Sequence, residues 1–325
     1  MIFRLVALTV AVAAVALLGL GIGASGLGLA GVLDVLRGTA TGIDRDILLG
    51  IRAPRVVLAG LVGGSLGISG AVLQALLRNP LAEPFVLGVS GGAAVGAVLA
   101  IGLGGSFVPG LVPLSATVGA LAATAAVLRI ARAVGPALSP RVLILAGVVV
   151  SAFFNAIILL LLALSSTEGL RQALYWMMGN LSGASWGAVG MLAGFAAPAL
   201  LWIVSQARPL NLLALGEEPA LYLGVSVERT RTAALAVTSV LVGAAVAVSG
   251  IIGFVGLVIP HAFRLLWGSD HRLLLPASAL GGAAFLIATD TVARTLVSPV
   301  ELPTGVITAL IGVPVFLLLL VRRGT

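Results

Sequence analysis

Ala233-Ala-Leu-Ala-Val-Thr-Ser-Val-Leu-Val-Gly-Ala-Ala-Val-Ala-Val-Ser-Gly250-Ile-Ile-Gly253-Phe-Val-Gly256-Leu-Val-Ile-Pro260-His-Ala-Phe263 runs for 31 residues without an Arg, Lys, Asp or Glu. At about 1.5 Å per residue this is too long for a single crossing of a hydrocarbon layer of about 30 Å, and too short for two ordinary helices of about 20 residues each. Gly250, Gly253, Gly256 and Pro260 cluster in its second half. The stretch therefore divides into a full helix ending near Gly250 and a short one, Phe254–Trp267, and this division decides between nine and ten membrane spans.

The other spans read as Leu5–Val32, Val56–Leu77, Phe85–Leu103, Leu111–Leu128, Val142–Leu164, Trp186–Val204, Leu273–Leu296 and Val306–Val321. Apolar residues make up 60% of the 325, and charged ones only 9%. The expected fold is all-α: a polytopic membrane protein forming a single transmembrane domain over residues 1–325. Met1 to Ala24 begins as a signal peptide would, with Arg4 before an apolar run. That run continues to about Val32, past the roughly 7–15 residues of a cleavable segment, and is expected to stay as the first span.

Arginine distribution tests the count. With ten spans and the N-terminus inside, the cytoplasmic ends hold twelve: Arg4, Arg78, Arg129, Arg132, Arg141, Arg208, Arg229, Arg231, Arg264, Arg272, Arg322 and Arg323. Six lie outside: Arg37, Arg45, Arg52, Arg55, Arg171 and Arg294. Nine spans would level the two sides at nine each. The positive-inside rule selects ten, with both termini cytoplasmic. It also explains the net charge of +7 as loop arginines, so nucleic acid is not an expected partner; the partner is the lipid bilayer.

A repeat agrees with that count. Gly67-Ile68-Ser69-Gly70 in span two matches Ala247-Val248-Ser249-Gly250 in span seven. Each follows an Arg (Arg52; Arg231) by some 18 residues and precedes a Pro-containing break (Pro80; Pro260). An offset of five spans inverts the second unit in the membrane, which is how transporters build a site that opens to either side. The halves are about 1–165 and 186–325. Small residues are also common wherever membrane helices pack closely, and chance similarity is the plain alternative.

Every basic residue is Arg or His, because the chain has no Lys. A Walker A loop needs its Lys to reach the β- and γ-phosphates, so any ATP and Mg used in transport are bound by another subunit. With no Cys, there is no disulfide or thiolate metal site. No catalytic group and no metal site is expected.

The longest polar cytoplasmic segment, within residues 208–230, reads as two short helices separated at Gly216 and broken again at Gly224. Glu217 and Glu218 fall in a first helical turn, where carboxylates complement the dipole, and Pro219 is tolerated there. A short charged helix of this kind is a docking element for a partner; the alternative is an amphipathic helix lying on headgroups.

Several stretches together resemble one family. They are Arg52-Ala-Pro-Arg55, Gly70-Ala-Val-Leu-Gln74, Arg78-Asn-Pro-Leu-Ala-Glu-Pro-Phe-Val-Leu-Gly-Val-Ser-Gly91, Gly253-Phe-Val-Gly-Leu-Val-Ile-Pro-His-Ala-Phe-Arg264, Asp270-His-Arg272, Asp290-Thr-Val-Ala-Arg294 and Glu301-Leu-Pro-Thr-Gly-Val. In this order they resemble the FecCD/BtuC-type permeases of bacterial ABC importers for iron chelates, haem and cobalamin.

The resemblance implies a homodimer in the bacterial inner membrane, two ATP-binding subunits below and a periplasmic or lipid-anchored substrate-binding protein above. It assigns ATPase coupling to Leu212–Gly224, with Leu215, Gly216, Glu217, Glu218, Leu221 and Gly224 as the contact, and binding-protein docking to Arg52, Arg55 and Arg294. Arg294 also stands four residues after Asp290 and has an intrahelical pair as its alternative. A gate is implied at Ser139 and Pro140, where Pro140 departs from the family pattern. An outer helix over Glu168–Asn180 is implied as a lid, with Tyr175, Trp176, Met177, Met178 and Asn180 on the pathway. The Tyr175–Met178 run resembles the cobalamin version, which favours cobalamin over a ferric siderophore or haem.

Two rivals come from other classes. Gly67-Ile-Ser69-Gly and Gly88-Val-Ser90-Gly spell an intramembrane-protease motif with His261 as a base, although 43 glycines make such matches cheap. A proton-coupled carrier needs ionisable groups within the spans, and Asp290 is the only acidic candidate.

The absence of Cys makes the topology directly testable. Ser269→Cys, between spans eight and nine, is expected to react with an impermeant maleimide only from the cytoplasmic side; labelling of intact cells from outside would reject ten spans.

Overall fold

The computed structural model describes residues 1–23, 28–39, 42–105, 108, 110–135 and 138–321; Arg322 and Arg323, counted above as cytoplasmic, lie outside the described residues. Helices follow one another as α1 Ile2–Gly21, α2 Gly28–Leu36, α3 Ile43–Asp46, α4 Ala53–Leu76, α5 Val89–Gly102, α6 Leu111–Val134, α7 Pro140–Leu164 and α8 Thr167–Met177. Then come α9 Trp186–Ser205, α10 Ala207–Leu215, α11 Glu217–Tyr222, α12 Val227–Ser249, α13 Val255–Trp267, α14 His271–Ala293 and α15 Thr304–Val321. A π-turn over Ile47–Arg52 joins α3 to α4, and a 3₁₀ turn over Pro84–Leu87 precedes α5.

Among the described residues, seven helical segments are long and apolar enough to cross a membrane, and α5, α13 and α15 are shorter apolar helices. The deciding stretch breaks where its glycines cluster. α12 ends at Ser249, Gly250 takes a φ of +67°, and α13 begins at Val255. The first span is shorter than its apolar run. α1 stops at Gly21, and a separate helix, α2, follows, because Gly19, Gly21 and Gly23 interrupt the end of the run and Ile22 turns extended.

Three elements form the centre. The apolar window of the segment containing α4 is 83% buried, that of α12 67% and that of α14 61%, against 28% for α6, α7 and α9 and 6% for α1. In hydrocarbon there is no water to expel from between helices, so association depends on close packing and polar contacts. Small residues supply the approach. A methyl group added at Gly63 would overlap the carbonyl of Gly282, and one at Gly67 the carbonyl of Ser278, so α4 and α14 touch backbone to backbone.

α6 packs on α12 as α14 packs on α4, α5 packs on α6 as α13 packs on α14, and α13 packs on α4 as α5 packs on α12.

α13 begins beside the second half of α4 rather than beyond its end. Gly70 lies against the Gly256 carbonyl, and the Gln74 amide donates to Gly256 O and Leu257 O. The first free N–H of α13, from Phe254, donates to Glu83 Oε1 at 2.7 Å. Phe254 itself adopts φ +69°, a left-handed conformation that costs a side-chain-bearing residue. A carboxylate at a helix N-terminus meets both the unpaired N–H groups and the positive end of the dipole.

Overpacking of this kind usually costs about 1–3 kcal/mol, and more where backbone must separate. Gly67→Val is expected to lower the melting temperature of the purified chain sharply. Gly190→Ala in α9, where an added methyl meets nothing within 4 Å, is expected to leave it unchanged or raise it. Equal melting of the two variants would show that the α4–α14 contact is not the centre of the fold.

Candidate functional site

Arg52, Arg55 and Arg294 converge at one end of α4 and α14, and all three are buried, at 4%, 7% and 9% exposure. Each of the three is engaged by partners within the chain. Arg52 Nη1 donates to Leu20 O at 2.6 Å and to Gly21 O at 3.1 Å, and Arg294 Nη2 donates to Gly19 O. These are last-turn carbonyls of α1, which lack partners within the helix and carry the negative end of its dipole, so two cations cap that helix.

Arg55 is engaged on both edges. Nε and Nη2 reach the two carboxylate oxygens of Asp290 at 2.9 and 3.0 Å, and Nη1 reaches Glu301 at 2.9 and 3.0 Å. Thr304 Oγ1 adds a bond to Asp290 at 3.0 Å. The pairing of Asp290 with Arg294 suggested by their spacing is the weaker one, at 4.0 Å. Asp290 is the anchor of Arg55, across 235 residues. One side of this cluster opens into a cavity of about 250 Å³ lined by the three arginines, Ser298, Pro299 and the half-exposed Glu301.

The segment over 208–230 folds as expected, with α10 and α11 divided at Gly216, whose φ is +138°. Its tip is apolar and exposed: Leu215 at 72%, Leu221 at 59%, Leu223 at 58% and Tyr222 at 89%. Glu218 is exposed among them and Gly224 closes the turn, whereas Glu217 turns back toward α12 and pairs with Arg231 at 2.8 Å. Asn211 on α10 ties the segment to α14, donating to Asp270 at 2.7 Å and accepting from the His271 backbone at 2.8 Å. Bonds from the Arg272 N–H and from Asn211 hold the Asp270 carboxyl below its ordinary range.

Ser139 is the N-cap of α7, accepting from Val142 N–H at 3.3 Å, and Pro140 occupies the first helical turn, where its missing N–H costs nothing. The hydroxyl oxygen of Ser139 thus accepts one bond within its own helix, and its O–H remains able to donate.

Tyr175, Trp176, Met177 and Met178 lie at the end of α8, which is held against the end of α12. Asn180 N–H donates to Ser249 O at 2.8 Å, and Gly305 N–H to Gly179 O at 3.1 Å. A cavity of about 430 Å³ opens here, walled by Tyr175, Trp176, Ile101 and Val112 and edged by Arg171, Gln172 and Asn180. Met177 and Met178 do not line it.

The rival sites do not assemble. Ser69 is fully buried in α4 and its hydroxyl has no hydrogen-bond partner among the described residues, so no base acts on it. Ser90 follows a 3₁₀ turn, without the strand that makes a nucleophile elbow. Asp290 is engaged by Arg55 through both carboxylate oxygens and by Thr304.

Comparison with known proteins places these features. The FecCD transport family model matches residues 10–322. The chain belongs to the FecCD transport family. It is 47% identical to an uncharacterized ABC transporter permease of Bacillus subtilis strain 168, covering 86% of this chain and 79% of that one. It is 50% identical to the cobalamin import system permease of Halobacterium salinarum, covering 84% and 73%, and 45% identical to the hemin transport system permease of Yersinia pestis, covering 85% and 84%. A solved structure described as an inward-facing conformation of a "metal-chelate type ABC transporter" superposes with a TM-score of 0.89 at 34% identity, over 99% of this chain and all of the other. The protein is therefore a multi-pass membrane permease subunit of an ABC transporter; it is not an enzyme, and ATP is hydrolysed by a separate subunit.

The sequence reading missed the internal partners of the arginines, along with Glu83, Asn211 and Glu217 as linkers. Glu83, Asp290 and Glu301 each fall within a motif that marks the family and Glu217 within the expected coupling contact, whereas Asn211 and the α1 carbonyls carried no such signal.

Breaking a buried ion pair by removing one partner typically costs about 3–5 kcal/mol, against about 1 kcal/mol or less for an exposed one. Asp290→Asn is expected to lose most of the folded protein on heating, and Glu301→Gln to retain it. Comparable losses would mean that Asp290 and Glu301 share the neutralisation of Arg55 equally.

Proposed function

We propose that this permease carries a large metal chelate, cobalamin first, with haem or a ferric siderophore as the alternative, as a homodimer with two ATP-binding subunits and an external substrate-binding protein. The observation that carries the substrate class is the cavity beside α8. Its aromatic and aliphatic walls with a few amide and guanidinium groups at the rim suit a bulky ligand with both an apolar face and polar edges. The named relatives transport cobalamin and hemin, both metal-bearing macrocycles, and both are similar enough to support either.

The membrane arrangement proposed is ten spans, from seven long and three short apolar helices, with both termini cytoplasmic and the halves inverted. The matched contacts of α4–α14 with α12–α6, and of α13–α4 with α5–α12, support the repeat, because each pair maps on its counterpart by an offset of five spans.

Docking of the binding protein is proposed at the mouth formed by Arg52, Arg55 and Arg294, where the adjoining cavity leaves their edges reachable beside Glu301. ATPase contact is proposed at Leu215, Gly216, Glu217, Glu218, Leu221 and Gly224, supported by the exposed apolar tip around Glu218, since patches of this kind mark interaction sites. The gate is proposed at the turn of Ser139 and Pro140, where the N-cap and first turn of α7 are set.

In proteoliposomes containing the complete transporter, cobalamin uptake is expected to require ATP and the binding protein. Hemin uptake without cobalamin uptake would transfer the reading to haem. Glu218→Arg, which inverts a charge at the proposed contact, is expected to lower uptake at least tenfold, since a like or unpaired charge costs on the order of a few kcal/mol. Normal ATP-driven uptake by that variant would remove Glu218 from the contact.

A further inference from the structure

Arg231 is the most deeply buried guanidinium on the α12 side of the molecule, with 4% of its side chain exposed. Its two ends reach different elements. Nη2 pairs with Glu217 Oε1 at 2.8 Å, on the first residue of α11, and Nη1 donates to Leu138 O at 2.6 Å, in the turn that leads through Ser139 into α7. Its Nε has no hydrogen-bond partner among the described residues. Glu217 is also approached by Arg78 at 3.6 Å, from the end of α4, but Arg78 is itself about half exposed and contributes a screened attraction.

We propose that Glu217 and Arg231 are a positioning pair through which movement of α11 reaches the turn before α7: the carboxylate on α11 fixes the guanidinium, and the guanidinium holds the Leu138 carbonyl. This rests on the reading of residues 208–230 as the ATPase contact and adds the route inward from it.

The physical basis is the cost of leaving a charge buried without its counter-charge. α11 has six residues, too few to be stable alone. It is held by the buried Ala220 and by the bond from Val225 N–H to Ala220 O. A displacement that carries the part-exposed Glu217 carboxylate away leaves the Arg231 guanidinium, with 4% of its side chain exposed, with a neutral carbonyl as its principal partner. The guanidinium must then follow the carboxylate or turn toward solvent, and in either case its bond to Leu138 is lost. Leu138 is 1% exposed and lies one residue before the N-cap of α7, so the released turn is the one that starts α7 at the proposed gate. Glu218, one residue on, points outward and has no such link.

The test uses the complete transporter in nanodiscs, with Arg141→Cys as the sole thiol of this chain and a Cys-free ATPase subunit. The reaction rate of the introduced thiol with a maleimide is measured without nucleotide and with trapped ATP. A coupling of ordinary size changes such a ratio by roughly 5- to 150-fold. We expect a ratio in that range for the otherwise native chain, and a ratio near unity for Glu217→Gln and for Arg231→Gln. The exchanged pair Glu217→Arg with Arg231→Glu separates relay from anchoring: it restores attraction to α11, but a carboxylate at position 231 cannot donate to Leu138 O. The exchanged pair should therefore remain near unity; recovery of the ratio would reduce the pair to an anchor for α11 and overturn the proposal. A full response in Glu217→Gln would also overturn it, and this variant decides the matter if Arg231→Gln does not fold. Absence of any nucleotide response in the native chain would instead reject the ATPase-contact reading on which the proposal rests.

Discussion

Backbone-to-backbone contact between α4 and α14 is the constraint from which the rest of this structure follows. Two helices with side chains at their interface lie about 8–10 Å apart; removing the side chains at Gly63, Gly67 and Gly282 lets them come closer and meet over their length. In lipid, this replaces the water-driven association available to a soluble protein. The ends of both helices are then fixed, and ionisable groups placed there can be matched at bond length. Arg55 and Asp290 are such a match, and without the close approach neither charge would be tolerable at that burial.

The same closeness explains the short helices. α13 starts beside α4 because Gly70 admits the Gly256 carbonyl, and a helix begun inside a bundle exposes its unpaired N–H groups where water is scarce. Glu83 supplies the acceptor to Phe254. Half-helices with satisfied ends allow irregular backbone within a membrane protein only where protein covers it. The polar motifs that identify the family in sequence are thus, in this chain, largely the repair of interrupted helices.

Helix existence was legible because apolar runs longer than any soluble core helix leave no alternative, and the break near Gly250 was legible because glycines and a proline cluster there. The end of α1 was not, since Leu20, Ile22 and Leu27 keep hydropathy high across the point where the helix stops. Site residues fared unevenly for a related reason. The exposed tip at Leu215–Leu223 follows from local chemistry, glycine breaks around a polar helix, and can be read along the chain. The fate of Arg52, Arg55 and Arg294 depends on partners 31 to 275 residues away, and an isolated arginine looks the same whether it caps a distant helix or faces solvent.

The capping of α1 has a consequence for how the chain is made. The first helix enters the membrane with the carbonyls of Gly19, Leu20 and Gly21 unsatisfied, and with only 6% of its apolar window covered by protein. Arg52 becomes available soon afterwards, but Arg294 is synthesised 275 residues after Gly19. Arg52 can cap α1 as soon as α4 is made, whereas the bond from Arg294 becomes possible only once α14 has been synthesised. A chain cut short before α14 would keep the Arg52 cap on α1 but leave the Gly19 carbonyl without its guanidinium.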